Sequence, residues 1–341
     1  MNLGSPWPLP QSWTKYPFRY ALDSKNFVVL TNAQDCLIVK ESILRLKNII
    51  VHLSNKQNYN QTNDLPQLSS IFVEIDYHRN CNHLYPQQGD NEYYEIEISN
   101  QTTSNNKIRS NTIWGALRAL ETFSQLIYTD HETKQLVVNA TKINDWPRFK
   151  FRGIMLDTAR HFLPKNVLLA NLDAMSYNKM NVFHWHIVDD QSFPLESKYF
   201  PQLTKQGAYS PKHIYTQDDI MEIIEYARFR GIRVIPEIDT PGHTQSFGRA
   251  FPFLLTPCYG QGYDKPYTAN YPKHANAEML NPIQNFTYDF MKLLFEEVRY
   301  LFVDEYIHLG MDEVYYDCWK SNPKILQFMK EHKMTNMNQI E

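Results

Sequence analysis

The stretch Asn181-Val-Phe-His-Trp-His-Ile-Val-Asp-Asp190 decides the fold class of this 341-residue chain. Residues 182–188 form a largely apolar run of strand length, and two aspartates follow it directly. Similar runs occur at residues 153–157, 232–238 and 306–309, and longer amphipathic segments separate them. Such alternation of strands with helices is typical of an α/β protein with a parallel sheet. Pro236 weakens the third strand prediction, because proline cannot donate to a strand ladder.

Helical periodicity fills the intervals between these strands. Three faces of apolar residues have helical spacing: Leu168, Leu172 and Met175; Ile220, Ile223, Ile224 and Ala227; and Phe290, Leu293, Leu294, Val298 and Leu301. Thr216 and Asp219 have the spacing of a capping box at the start of the second helix. Gly231 follows the end of that helix, where glycine commonly terminates helical structure.

Each predicted strand is followed by a cluster of ionisable residues. The clusters are Asp157-Thr-Ala-Arg160, Asp189-Asp190, Asp239-Thr-Pro-Gly-His243 and Asp312-Glu313. In a β/α barrel the carboxyl ends of the strands converge on the active site. Four consecutive strand ends of this kind therefore predict one site that contains all of these residues.

Asp312 and Glu313 are neighbouring acids that can take different tasks if the strand end bends and both face the site. Burial raises the pKa of a carboxyl, so one of them would donate a proton while the other stays ionised. A solvated loop is the alternative for an isolated Asp-Glu pair. The three similar clusters favour the catalytic interpretation.

The remaining clusters offer groups that bind or orient. Arg160 has five donors and suits two adjacent hydroxyls of a sugar, unless it forms an ion pair with Asp157 or with an acid of a neighbouring strand. His243 could orient a carboxylate or pass a proton, and the alternative is a turn residue satisfied by the backbone. Asp189 beside Asp190 could hold such a histidine in one tautomer, or could be a loop-start or N-cap carboxylate.

A metal site is a further alternative, because His184 and His186 are two positions apart on one face of a strand. No obvious set of histidine ligands follows at the later strand ends. We therefore expect both imidazoles to pack within the barrel, and we expect no metal and no cofactor. A metal-dependent hydrolase using His184 and His186 is the least favoured function.

The earlier part of the chain, residues 18–141, has the patterns of a small α+β domain. Alternation predicts strands with Ile71, Val73, Ile75 and Tyr77, and with Tyr94, Ile96 and Ile98, on one face. Helical spacing predicts helices with the faces Ile43, Leu46, Ile50 and Leu53, and Ala116, Leu120, Phe123 and Ile127. The Asn/Gln-rich residues 55–66 show no periodicity, and we expect no regular structure there. The pattern changes near Trp146, so we expect domains at residues 1–145 and 146–341.

Charge and hydropathy exclude several classes of protein. The 34 Lys and Arg residues and 37 Asp and Glu residues give a formal net charge of −3. This near balance argues against nucleic acid or an anionic membrane as the main partner. No apolar run approaches the roughly 18 residues that a membrane helix needs.

Cysteines and glycosylation sequons favour a secretory route. The four cysteines, Cys36, Cys81, Cys258 and Cys318, have no metal-ligand spacing. Four N-glycosylation sequons begin at Asn60, Asn100, Asn139 and Asn285. Disulfides and N-glycans both form in an oxidising compartment. Because residues 1–17 contain no signal-peptide apolar segment, we expect the true N-terminus to lie outside this sequence.

Several longer segments carry a family resemblance. They are Pro147-Arg-Phe149, Arg152-Gly-Ile-Met-Leu-Asp-Thr-Ala-Arg-His161, residues 177–190, Phe193-Pro194, Arg230-Gly-Ile-Arg-Val-Ile-Pro-Glu-Ile-Asp-Thr-Pro-Gly-His243, Leu255-Thr-Pro-Cys258 and His308-Leu-Gly-Met-Asp-Glu-Val314. Together they resemble the catalytic domain of the β-N-acetylhexosaminidases, glycoside hydrolase family 20, in its lysosomal α/β subunit branch. Ser5-Pro-Trp-Pro-Leu-Pro10 and residues 114–123 are similar to the N-terminal domain of the family.

The resemblance implies a fold and sets an expectation for the chain's extent. It implies a small α+β domain followed by the first four strand–helix units of a (β/α)8 TIM barrel. The chain ends at Glu341, soon after the fourth predicted strand. We therefore expect an incomplete product that lacks its C-terminal half. A catalytically inactive, sugar-binding remnant is the alternative function.

The resemblance also implies roles for the clustered residues. Glu313 would be the general acid/base, and Asp312 would polarise the substrate acetamide. Arg160 would bind the hydroxyls of the terminal sugar, while Asp189 and His243 would form a relay to Glu313. The implied reaction is exo-hydrolysis of terminal N-acetylglucosamine or N-acetylgalactosamine by a retaining, substrate-assisted mechanism.

Three further properties follow from the resemblance. Disulfides would join Cys36 to Cys81 and Cys258 to Cys318. The protein would be lysosomal or secreted, and the complete form could be a homodimer or heterodimer. No nucleic-acid partner and no membrane span are expected.

Overall fold

The computed structural model describes residues 4–54, 65–101, 106–260, 265–267 and 278–341, and the chain divides into two compact units. The first contains Met1–Arg152, Asn171–Asn181 and Tyr226–Arg233, and the second contains Gly153–Ala170, Val182–Glu225 and Val234–Glu341. The first unit thus takes in two segments from later in the chain. The expected division at residues 145 and 146 stays a prediction.

The first unit is built on a mixed, eight-stranded sheet. Its elements are β1 (Ser12–Leu22), β2 (Val28–Thr31), α1 (Leu37–Ser54), β3 (Gln67–Leu68), β4 (Ser70–Tyr77), β5 (Tyr94–Ile98), β6 (Lys107–Thr112), α2 (Ile113–Leu126), β7 (Tyr128–Thr129) and β8 (Leu136–Asp145). The strand order is β2-β4-β6-β5-β8-β1-β3, with β7 on β8. β4 pairs in parallel with β2 and β6, whereas β5 pairs antiparallel with β6 and β8.

The periodic patterns of this unit are confirmed except at Tyr77, at the end of β4, whose side chain is 76% exposed. In β4 the side chains of Ile71, Val73 and Ile75 are buried, and Glu74 between them forms ion pairs on the other face. The helix α2 begins where the Thr112 hydroxyl accepts a hydrogen bond from the backbone N–H of Gly115, as an N-cap residue does. Residues 55–64 lie outside the described residues, so the expectation for that segment is untested there.

Strands and helices alternate from residue 153 onward. The elements are β9 (Gly153–Asp157), α3 (Lys165–Tyr177), β10 (Val182–Val188), α4 (Pro201–Gly207), α5 (Gln217–Arg228), β11 (Arg233–Thr240), α6 (Gln245–Ala250), α7 (Asn285–Leu301), β12 (His308–Gly310), α8 (Tyr316–Ser321) and α9 (Pro323–Glu331). The four strands form a sheet in the order β12-β11-β10-β9. β9 pairs in parallel with β10, and β11 in parallel with β12.

Three of these strands lie where the sequence predicts them, and the fourth differs. β9 and β10 have the predicted bounds, and β11 keeps Pro236 within it. A fourth strand is present, but the prediction that it is buried and covers residues 306–309 is wrong. β12 covers only His308–Gly310 and its side chains are largely exposed, because it lies at the edge of the sheet.

The predicted capping box is confirmed at the start of α5. The backbone N–H of Thr216 donates to the carboxylate of Asp219 at 3.1 Å, and the backbone N–H of Asp219 donates to the Thr216 hydroxyl at 3.1 Å. Gly231 follows α5 with a positive φ of 66°. Among the helices that the structure describes, none combines the length and apolar character required to span a bilayer.

Candidate active site

The turn after β9 positions the first functional group, Arg160. The Asp157 carboxylate accepts the backbone N–H groups of Ala159 and Arg160 at 3.1 and 2.9 Å, which folds the turn. The Arg160 guanidinium pairs with Asp157 at 2.7 Å and with Asp189 at 2.9 Å. Both of the ion pairs considered from the sequence are therefore present. The Arg160 side chain remains 37% exposed, so donors are left for a ligand.

Asp189, at the end of β10, is the fully buried centre of the cluster. Its carboxylate contacts His186 Nε2 at 2.8 Å, Arg160 Nη2 at 2.9 Å and His243 Nδ1 at 3.5 Å, and it accepts the backbone N–H of Asp190 at 2.6 Å. Burial opposes ionisation of this carboxyl. The hydrogen bonds from His186 and His243 outweigh burial and hold the pKa of Asp189 well below its usual range.

His243 lies between the acids of three strand ends. Its backbone has a positive φ of 54°. Nδ1 lies 3.5 Å from Asp189 and 3.8 Å from Asp190, and Nε2 lies 3.5 Å from Glu313 and 4.0 Å from Asp239. Hydrogen bonds to Asp189 and Asp190 raise the pKa of His243 to about 11. The ring is therefore an imidazolium near pH 7, not a turn residue satisfied by the backbone.

The expectation that Asp312 or Glu313 is buried is wrong. Both residues are exposed, Glu313 with 77% of its side chain, because the strand before them lies exposed at the sheet edge. The buried acid is Asp239 at the end of β11. Burial, together with the charge and hydrogen bond of Asp312, raises the pKa of Asp239 to about 7.

Gly310 lets the end of β12 approach Asp239. Its φ is +69°, and a Cβ atom there would lie 1.8 Å from Oδ1 of Asp239. The same Asp239 oxygen accepts the backbone N–H of Met311 at 3.2 Å. Only glycine fits this position. The close approach of Gly310 to Asp239 fixes the main chain just before Asp312 and Glu313.

Glu237 is a functional candidate that the sequence reasoning missed. It lies within β11 and contacts His184 Nε2 at 2.5 Å, His186 Nδ1 at 3.2 Å and His308 Nδ1 at 3.2 Å. Burial opposes ionisation of Glu237, but the hydrogen bonds from His184 and His186 hold its pKa well below the usual range. The sequence does contain one indication of Glu237. It lies two residues before Asp239 in a strand, so both carboxylates are on one face.

Three groups of side chains within the described residues bring possible metal ligands close together. They are His184, Glu237 and His308; His186, Glu237 and Asp239; and Asp189, Asp239 and His243. Two tetrahedral ligands of one zinc ion lie about 3.3–3.6 Å apart, since each is about 2.0–2.2 Å from the metal. The 2.5 Å contact of His184 with Glu237 is shorter, and His186 uses both ring nitrogens on carboxylates. The geometry favours a hydrogen-bonded network.

The structure joins Cys36 to Cys81 and Cys258 to Cys318, the two pairs that the resemblance implies. These disulfides close segments with sequence separations of 45 and 60 residues.

The four sequons have different surroundings. Asn100 and Asn285 are exposed, while Asn60 lies outside the described residues. Asn139 is buried in β8, and its amide nitrogen donates to the carbonyl of Tyr16 at 2.7 Å. Because a glycan attaches at that nitrogen, the buried and hydrogen-bonded side chain of Asn139 argues against a glycan there in the folded chain.

Comparison with known proteins shows the family. Residues 149–341 match the family described as glycosyl hydrolase family 20, catalytic domain, and residues 6–126 match a beta-acetyl hexosaminidase like family. The chain is 44% identical to the beta-hexosaminidase subunit alpha of Mus musculus, over 98% of this chain and 62% of that protein. It is 41% identical to the human beta-hexosaminidase subunit beta, over 95% of this chain and 57% of that protein.

Solved structures agree with this result. A chitobiase of Flavobacterium johnsoniae is 29% identical, with a TM-score of 0.79 over 98% of this chain and 48% of the other. An exo beta-N-acetylglucosaminidase from Vibrio harveyi is 26% identical, with a TM-score of 0.75 over 98% of this chain and 50% of the other. The chain thus spans about 60% of the length of the curated relatives that it matches. On these matches, the chain is a member of glycosyl hydrolase family 20.

Proposed function

We propose that this chain provides acid/base and sugar-binding residues of an exo-β-N-acetylhexosaminidase. One observation carries the proposal: Arg160, Asp189, His243 and Glu313 form a connected series with contacts of 2.9, 3.5 and 3.5 Å. The series links a donor for sugar hydroxyls to an exposed acid that can reach a glycosidic oxygen. The names of the relatives support this activity, and the Vibrio harveyi relative is described in complex with N-acetylglucosamine.

The α/β architecture is compatible with a barrel active site. We propose that β9 to β12 are four strands of a (β/α)8 barrel. Support comes from the parallel pairs at both sides of the sheet and from the ionisable groups that follow each strand.

The proposed reaction is retaining and substrate-assisted. The acetamido carbonyl oxygen of the substrate forms a bond to the anomeric carbon while the bond from that carbon to the glycosidic oxygen breaks. Glu313, as a carboxylic acid, gives its proton to the leaving oxygen. Water then attacks the anomeric carbon of the oxazolinium intermediate, the bond to the acetamido oxygen breaks, and the Glu313 carboxylate takes a proton from the water.

The neighbouring residues would support these two steps. The His243 imidazolium lies 3.5 Å from Glu313 and stabilises its carboxylate after the proton leaves. Asp312 would accept the acetamide N–H and so favour attack by the acetamido oxygen. Asp239 below pH 7 is largely a neutral acid, whose hydrogen bond with Asp312 fixes the orientation of that carboxylate.

The proposed substrates are glycoconjugates that end in N-acetylglucosamine or N-acetylgalactosamine. The two disulfides are consistent with a lysosomal or secreted protein, because such bonds persist in oxidising compartments. The relatives are named as subunits, which supports a homodimer or heterodimer as the complete form.

Hydrolysis of 4-nitrophenyl N-acetyl-β-D-glucosaminide tests the proposal. We expect release of nitrophenol by the chain, and a loss of about 10²–10⁴-fold in Glu313→Gln. Glu296→Gln, an exposed acid on α7, is the matched control and should retain full activity. Undiminished turnover in Glu313→Gln would contradict the assigned acid.

Two further measurements separate the alternatives. Binding of N-acetylglucosamine without turnover would favour a sugar-binding remnant. Loss of turnover after exhaustive chelation, with recovery on adding zinc, would favour a metal-dependent hydrolase.

A further inference from the structure

His186 is a buried histidine of β10 that has no part in the proposed reaction. Its side chain is 5% exposed. The neighbouring strand holds its main chain, because His186 pairs with Asp157 of β9 and its carbonyl accepts the backbone N–H of Thr158 at 3.0 Å. The point where the ring is attached is therefore fixed, and side-chain contacts set the orientation of the ring.

Each ring nitrogen of His186 faces a buried carboxylate. Nε2 lies 2.8 Å from Oδ2 of Asp189, and Nδ1 lies 3.2 Å from Oε2 of Glu237. An ionised carboxylate only accepts hydrogen bonds, so the ring donates from both nitrogens and carries a positive charge. Burial opposes this charge, but the hydrogen bonds to Asp189 and Glu237 outweigh burial and raise the pKa of His186 to about 10.

The two oxygens of Asp189 have different neighbours. Oδ2 accepts from the His186 ring and from Nη2 of Arg160, which lies 2.9 Å away. Oδ1 accepts the backbone N–H of Asp190 at 2.6 Å and lies 3.5 Å from Nδ1 of His243. Rotation of the carboxylate about its Cβ–Cγ bond would exchange these neighbours. A donor fixed at Oδ2 opposes that rotation.

Glu237 holds the ring of His186 from the other side. Its Oε2 contacts Nδ1 of His186 and Nε2 of His184, and its Oε1 lies 3.2 Å from Nδ1 of His308. These contacts join β11 to β10 and to β12, the strands on both of its sides. Glu237 is thus fixed from two directions, and it keeps Nε2 of His186 directed at Asp189.

We propose that His186 is a positioning residue: its ring bridges Glu237 and Asp189 and thereby holds the Asp189 carboxylate in one orientation. In that orientation Oδ2 binds Arg160, and Oδ1 faces His243. The consequence for catalysis rests on the proposed function of Arg160 and His243. The orientation of Asp189 does not, and it can be measured without substrate.

The matched variants His186→Gln and His186→Asn separate the two ends of this bridge. A glutamine places its amide nitrogen near the position of Nε2 and can still donate to Asp189. The shorter asparagine places its amide nitrogen near the position of Nδ1, where it can donate only to Glu237. Both variants lose the ring and its charge, so the donor to Asp189 is what distinguishes them.

The backbone amide proton of Asp190 reports the orientation of Asp189, because it donates to Oδ1 at 2.6 Å. A short hydrogen bond to a carboxylate moves an amide proton downfield in an NMR spectrum. We expect the Asp190 chemical shift to stay near its native value in His186→Gln and to move upfield in His186→Asn. The amide of Arg160 donates to Asp157 at 2.9 Å and should be the same in both variants. Equal Asp190 shifts in the two variants would overturn the proposal.

His184 supplies a matched control on the same strand. It contacts Glu237 through Nε2, and its ring packs against His308. His184→Gln keeps a donor to Glu237 and should leave the Asp190 amide at its native chemical shift. An upfield move as large as that in His186→Asn would show that any exchange of a β10 histidine disturbs Asp189, and the role of His186 would be lost.

A measurement on the native chain keeps the proposal testable if the variants do not fold. Nitrogen-15 labelling of the histidine rings should show a proton on both nitrogens of His186 at pH 7. A proton on only one nitrogen would leave one of the two carboxylates without a donor from this ring, and it would overturn the bridge.

The chromogenic glycoside tests the consequence for catalysis separately. His186→Asn should lose about tenfold more activity than His186→Gln, because small displacements of binding groups slow a reaction strongly. Absence of hydrolysis by the native chain would contradict the proposed function and leave the NMR results for His186 unaffected.

Discussion

The Nε2 atom of His243 lies 3.5 Å from Oε2 of Glu313, and the opposite ring nitrogen faces Asp189 and Asp190. The imidazolium therefore joins a buried pair of anions to an exposed acid. The imidazolium thus places its positive charge beside the carboxyl group that is proposed as the acid.

Substitution of His243 should slow the proposed reaction without abolishing it. In His243→Gln we expect kcat to fall about tenfold to a hundredfold, less than the loss in Glu313→Gln, because the acid itself remains. Steady-state kinetics with the chromogenic glycoside measure this effect. KM should change little, since His243 is not proposed to contact the sugar. A normal kcat would show that Glu313 works without the histidine.

Asp189→Asn should strongly destabilise the fold. The substitution leaves Arg160, His186 and His243 with less negative charge in a buried setting, and breaking a buried pair in this way costs about 3–5 kcal/mol. The folded pKa of Asp189 is depressed, so this contribution is present above its ordinary value of about 3.9 and disappears as the pH falls through the folded pKa.

Urea unfolding at pH 7 and pH 3 measures the difference. The deficit of Asp189→Asn should be smaller at pH 3. Asp157→Asn is the control, and its effect should be smaller at both pH values because Asp157 is 21% exposed. An equal effect of the two substitutions would contradict the central role of Asp189.

The stability of Asp239→Asn relative to the native chain should increase as the pH rises. The folded pKa of Asp239 is raised to about 7, so the native state binds this proton more tightly than the unfolded chain. The native chain therefore loses stability between about pH 4 and pH 7, by up to the order of 1–4 kcal/mol. An asparagine cannot ionise, so the difference between variant and native chain should favour the variant more at pH 8 than at pH 5. Unfolding curves at the two pH values check the sign.

Gly310→Ala should destabilise the chain by about 2 kcal/mol or more. The new Cβ would meet Asp239 at 1.8 Å, and the φ of +69° is itself costly for a side chain. Met311→Ala is the matched control, because Met311 has a φ of 68° and already carries a Cβ. Thermal unfolding should show a clear decrease for Gly310→Ala only, and similar values for both would argue against the contact.

Regular spacing explains which parts of this site the sequence predicts. Arg160, Asp189 and His243 were expected together because each follows a parallel strand, and the carboxyl ends of such strands share one edge. The structure brings these three together with Glu313.

Contacts between strands explain what the sequence did not show. Glu237 meets His308 only through the register of β11 and β12. The exposure of Glu313 depends on the edge position of β12, which an apolar run cannot indicate by itself. These are tertiary relationships, and local patterns do not encode them.

The disulfide at Cys258 and the backbone hydrogen bonds at Met279 and Leu280 have a consequence for sequence changes between them. Cys258 is bonded to Cys318, and the chain near Glu278 is tied at Met279 to Thr256 and at Leu280 to Pro241. The residues on either side of the segment between Cys258 and Glu278 are thus held whatever the amino-acid sequence of that segment. Each doubling of a tethered stretch costs only about 0.6 kcal/mol in closure entropy. Insertions between Cys258 and Glu278 should therefore cost the chain little stability, because the residues on either side are held by contacts of their own.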